Sequence, residues 1–105
     1  MRIALHQMTS CIDPMRNASD MQDVIAKAAD NGAVMYFAPE MALLVDRDRA
    51  RARKYMADES HSMALQSLIA TAARYRIWVH IGSMPILDDG AEKLANRSII
   101  ISPDG

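Results

Sequence analysis

A single cysteine, Cys11, in 105 residues excludes an internal disulfide and makes a reducing cytoplasm the expected setting. Charge of one sign is not in excess: the formal net charge is −1, which removes the electrostatic case for nucleic acid or a membrane surface as partner. No apolar run approaches the roughly 20 residues that cross a bilayer, and Met1-Arg2-Ile3-Ala4 reads as the start of a strand rather than a signal peptide. There is no Gly-rich phosphate loop, neither G-x-G-x-x-G nor a Walker motif, so a small flavodoxin-like nucleotide binder ranks last among the readings. His6, His61 and His80 fit no metal-ligand spacing. No metal and no cofactor is therefore expected. Internal repeats, low-complexity tracts and linkers are also missing, and the length allows at most one small domain.

What is present is the balance of a soluble globular chain, 50% hydrophobic and 24% charged. Nine methionines read as adaptable core filling. Arg2 to Met8 reads as a buried strand before a turn at Cys11-Ile12-Asp13-Pro14. Asn17 is then placed to cap a helix whose Ala18, Met21, Val24, Ile25, Ala28 and Ala29 fall on one face. Asn31-Gly32 supplies its stop. Ala33 to Ala38 reads as a second strand closed by Pro39. The stretch from Asp46 to Lys54 mixes both signs of charge and reads as a solvated helix or loop rather than an anion site. Asp58 to Ser62 offers several caps for a helix carrying the stripe Leu65, Leu68, Ile69, Ala72 and Ala73. Ile77 to Ser83 is a third strand, Asp88-Asp89-Gly90 a turn, and Arg97 to Ser102 a fourth strand. The order is β-α-β-(α)-α-β-β, which implies a layered α/β sheet with right-handed crossovers. The chain stops at Pro103-Asp104-Gly105, a hairpin signal without a returning strand, as a truncated chain would.

One residue stands out as a candidate for chemistry. Glu40 follows the second strand and Pro39, and ligands of open α/β sheets collect beyond the C-terminal strand ends. A carboxylate there, against apolar surface, can act as a general base. The alternative is a first-turn helix acid favoured by the helix dipole. Cys11 can lie at the same sheet edge, but it reads as an incidental thiol. Lys27, Lys54 and Lys93 read as solvated.

Val34-Met35-Tyr36-Phe37-Ala38-Pro39-Glu40-Met41 resembles the strand and Pro-Glu motif of the nitrilase superfamily of carbon–nitrogen hydrolases. Ile3-Ala4-Leu5-His6-Gln7-Met8 is similar to that family's first strand, Asn17 to the start of its first helix, and Ala28 to Ala33 to the entry of its second strand. Ile81-Gly82-Ser83 resembles the end of its third strand, and Asn96-Arg97-Ser98 with Pro103-Asp104-Gly105 its fourth strand and closing turn. Ala38 and Ala42 depart from the pattern, where an aromatic and a small polar residue are common, and leave the substrate open.

The resemblance implies the N-terminal part of a nitrilase-type α-β-β-α sandwich. It also implies a Glu-Lys-Cys catalytic set with Glu40 as the base. The Lys and the nucleophilic Cys would fall beyond Gly105, so this chain alone is expected to be inactive. The implied substrate is a small linear amide or a nitrile, and the implied assembly a homo-oligomer. A different class stays open: a non-catalytic, oligomerising or binding half-fold, whose unfinished sheet would leave an edge and an apolar face uncovered.

Overall fold

Asp13, not Asn17, opens the first helix. Its carboxylate accepts the N–H groups of Met15 and Arg16, and Pro14 occupies the first helical position, where no N–H is needed. The computed structural model describes residues 1–56, 61–87 and 93–105. Its elements are β1 (Ile3–Leu5), α1 (Pro14–Asp30), β2 (Met35–Phe37), α2 (Arg49–Arg53), α3 (Met63–Tyr75), β3 (Trp78–Ile86) and β4 (Ala95–Ile101), in the order expected. The expected turn at Asp88-Asp89-Gly90, and the caps at Asp58 to Ser60, lie outside the described residues. Ser62 does cap α3, accepting the N–H of Leu65.

The strands form one sheet ordered β1-β2-β3-β4. β1, β2 and β3 run parallel, with Tyr36 opposite Ala4 and Val79, and β4 returns antiparallel to β3. β1 and β2 are shorter than Arg2 to Met8 and Ala33 to Ala38, although the ladder continues past both ends of β2 through Val34 N–H to Arg2 O and Ala38 N–H to His80 O. β3 instead runs to Ile86, beyond Ser83. Pro85 has no N–H to give, and after a register shift between Ile81 and Met84 the ladder resumes with Met84 opposite Arg97 and Pro85 opposite Asn96.

Side chains alternate across the sheet. Tyr36, Val79, Ile81 and Ile101 point into a core shared with Met21 and Ile25 of α1 and Leu65 and Leu68 of α3. The two helices therefore cover one face. The opposite face carries Ile3, Leu5, Trp78 and Ile100, all exposed. This is a mixed α/β half-sandwich, one helix layer on one sheet. Among the described residues no helix is long and apolar enough to cross a membrane.

Candidate functional site

The loops beyond the C-terminal ends of β1 and β2 meet around a buried asparagine. Asn17 lies four residues before Met21 and eight before Ile25, so it shares their buried face, and it is fully enclosed. Its Oδ1 accepts the Cys11 N–H at 2.9 Å, and its Nδ2 donates to Cys11 O at 2.8 Å and Leu43 O at 2.9 Å. A buried amide with this many partners fixes the two loops to each other. Ser10 Oγ adds a bond to Ala42 O at 2.8 Å, and Val45 N–H donates to Cys11 O at 3.2 Å. The helical spacing of Asn17 with the apolar stripe was the sequence signal for this clamp. Reading Asn17 as a cap missed it.

Glu40 sits in the turn that leaves β2, just past its C-terminal tip. The next helix begins only at Arg49, so Glu40 is not a first-turn helix acid. The turn is built against β3. Gly82 lies so close that an added Cβ would stand 2.5 Å from Ala38 O and from the carbonyl carbon and oxygen of Pro39, which only glycine permits. Met41 follows with φ 54°, a left-handed conformation that costs a non-glycine residue roughly 1–2 kcal/mol. Its N–H donates to Ser83 Oγ at 2.9 Å. The Glu40 side chain is exposed, and no described residue hydrogen-bonds or ion-pairs with it.

Beside this turn an apolar cavity of about 280 Å³ is bordered by Met41, Leu44, Ala52, Met56, Pro85 and Leu94. A larger depression of about 500 Å³ lies between α3 and β4, lined by Leu65, Ile69, Trp78 and Ile100. It opens near the start of β3, the end of the sheet away from Glu40, and so has no part in this site.

His6, just past β1, shares a 2.7 Å hydrogen bond with the fully buried Tyr36 hydroxyl through Nδ1. Burial lowers the His6 pKa below its ordinary value, partly offset by Asp20, and burial raises that of Tyr36. A neutral imidazole can accept the Tyr36 O–H at Nδ1. His80 is held on the open sheet face, where Nε2 meets Ser98 Oγ at 2.7 Å.

The remaining candidates are dispersed. The Cys11 backbone joins the clamp, while its thiol reaches only Asp13 O at 3.7 Å. Lys27, Lys54 and Lys93 are exposed. In the charged stretch, Arg51 forks onto Asp46 with two bonds of 2.7 Å, which with the Asp48 N–H holds the Asp46 pKa down at about 2. Within this stretch Arg51 and Asp46 satisfy each other. Among the described residues, no group of three or more His, Cys, Asp or Glu side chains could hold a metal ion.

The sequence description of the family Carbon-nitrogen hydrolase matches residues 2–105. No curated protein sequence matches the chain. Among solved structures, an amidase from Nesterenkonia sp. is similar at 24% identity with a TM-score of 0.79, over 99% of this chain and 39% of that one. Saccharomyces cerevisiae Nit3, a member of branch 10 of the nitrilase superfamily, is similar at 27% identity with a TM-score of 0.76, over 91% and 37%. The C. elegans NitFhit protein superposes at 23% identity with a TM-score of 0.83, over 97% and 25%. The chain thus spans about two fifths or less of the length of these structures.

Proposed function

The chain belongs to the carbon–nitrogen hydrolase family, and on that premise we propose that it is the N-terminal part of an amidase-type hydrolase acting on a small linear amide, with Glu40 as the general base. The observation that carries the reading is the placement of Glu40 at the tip of a parallel strand, in a turn clamped on both sides. The reaction of such a set is acyl transfer. The carboxylate takes the thiol proton, and the thiolate attacks the amide carbon. A Lys and backbone N–H groups hold the oxyanion, ammonia leaves, and water then releases the acid with the same carboxylate as base.

A structure of a double mutant of the Nesterenkonia amidase in complex with acrylamide supports a small amide as substrate. The cavity beside Met41 suits the short apolar part of such an amide. A nitrile is the alternative substrate of the same chemistry, and a cytoplasmic setting fits the lone thiol. Lys and Cys partners for Glu40 belong, by resemblance, to strands after Gly105, so the 105 residues alone have no nucleophile to activate.

Ammonia release from small linear amides tests this. The purified chain of confirmed mass should release none, and a chain continued through the Lys- and Cys-bearing strands should. Turnover by the 105 residues alone contradicts the proposal.

One observation favours a second reading. The open sheet face exposes Leu5 by 75% and Ile100 by 62%, beside the exposed Ile3 and Trp78, and an apolar patch of this kind suits contact with another protein surface. A non-catalytic, self-associating half-fold accounts for that face without any turnover.

A further inference from the structure

We infer that Ser83, with Gly82 beside it, is a positioning residue for Glu40: its hydroxyl holds Met41 in the left-handed turn that directs the Pro39-Glu40 segment off the end of β2. This rests on the reading of Glu40 as general base. The observations behind it are independent of that reading. Met41 has φ 54° although it is not glycine, and such a conformation persists only where its surroundings over-determine it. The group that meets its N–H is Ser83 Oγ, at 2.9 Å, from a side chain that is itself buried.

The segment is fixed on either side of this bond by different means. Upstream, the Ala38 and Pro39 carbonyls lie over Gly82 so closely that an added Cβ would stand 2.5 Å from them. Downstream, Ser10 and Asn17 hold the carbonyls of Ala42 and Leu43, and Cys11 O holds the Val45 N–H. Between these anchors the Glu40–Met41 peptide takes its direction from Ser83. Without the hydroxyl the Met41 N–H loses its partner, the residue relaxes toward the right-handed region, and the Glu40 side chain swings with the peptide. Removing one oxygen deletes no apolar contact of the core.

Solution NMR on the isotopically labelled chain tests the inference in Ser83→Ala, Ser83→Thr and the double variant Met41→Gly/Ser83→Ala. The one-bond Cα–Hα coupling of residue 41 reports the sign of φ, and amide exchange reports the bond. In Ser83→Ala the positive-φ signature of Met41 should be lost and its exchange should quicken by about tenfold, while the amides of Tyr36 and Val79 keep their protection. Ser83→Thr should restore both Met41 signals. Unchanged Met41 signals in Ser83→Ala overturn the inference, as does parallel loss of protection at Tyr36 and Val79, which marks general loosening. Should Ser83→Ala not fold, the double variant decides, because glycine takes the left-handed turn unaided. It should fold and keep the positive φ, and its failure to fold contradicts a local role. Every readout is backbone conformation rather than turnover, so the result is separate from whether Glu40 is a base.

Discussion

Asn17 shows how much of the candidate site depends on groups that do no chemistry. Asn17→Ala strands the Cys11 N–H and the Leu43 carbonyl, while Cys11 O keeps the Val45 N–H, and each uncompensated buried group costs roughly 1–3 kcal/mol. Chemical denaturation should show a loss of about 2–4 kcal/mol, and the 42–45 segment should lose exchange protection first. His6 makes a pH-dependent contribution of known sign. Its folded pKa is lowered, so the unfolded chain binds the proton more readily. Stability should be fully held above the ordinary value of 6.5 and should fall as the pH drops from there toward the lowered folded pKa. A His6→Gln chain should lose that part of the slope, read from urea midpoints across the window. Asp46 behaves alike at lower pH, its contribution present above 3.8 and lost as the pH falls through about 2. At this scale the sequence singled out Glu40 as the candidate carboxylate, because Pro-Glu after a strand is local. It did not show that Glu40 is exposed or that Asn17 clamps two loops. Those properties come from residues far apart along the chain: the helical spacing marks Asn17 as buried, but it does not name the loops that the amide binds.

Elements were legible to the extent that their signals were periodic. The stripe from Leu65 to Ala73 and the face from Ala18 to Ala29 predict α3 and α1, and both bury those residues wholly or in part. Leu68→Ala, at a fully buried position between helix and sheet, should lower stability by roughly 2–5 kcal/mol in denaturant titrations. Removing the N-cap with Ser62→Ala should cost only about 1 kcal/mol by the same measure. A reversed ranking would mean that α3 is held by its end rather than by its buried face. Boundaries were legible less well. Asp13 captures the start of α1 because Pro14 fits its first turn, and the bulge carries β3 past Ser83 to Ile86. The latter depends on pairing with β4, which no local pattern of β3 contains.

For the molecule as a whole, the uncovered sheet face is the dominant fact. A small chain buries a limited fraction of its surface, and here no helix among the described residues covers one side of the sheet. We expect self-association, seen by sedimentation as a mass that rises with concentration. Leu5→Lys with Ile100→Lys should shift the chain toward monomer, since both side chains lie on that face and outside the core. A monodisperse, cooperatively melting wild-type monomer contradicts the expectation. The layered order of the fold was readable from alternating strands and helices. That the second face stands open was expected only under the half-fold reading, from an unfinished sheet.

The central claim is that Glu40 supplies the base of a thiol-dependent amide hydrolysis, and turnover of Glu40→Gln tests it most directly. In a chain continued through the Lys- and Cys-bearing strands, the substitution should lower kcat for a small linear amide by roughly 10²–10⁴-fold while the protein stays folded. A Glu40→Gln enzyme that keeps its full kcat contradicts the claim.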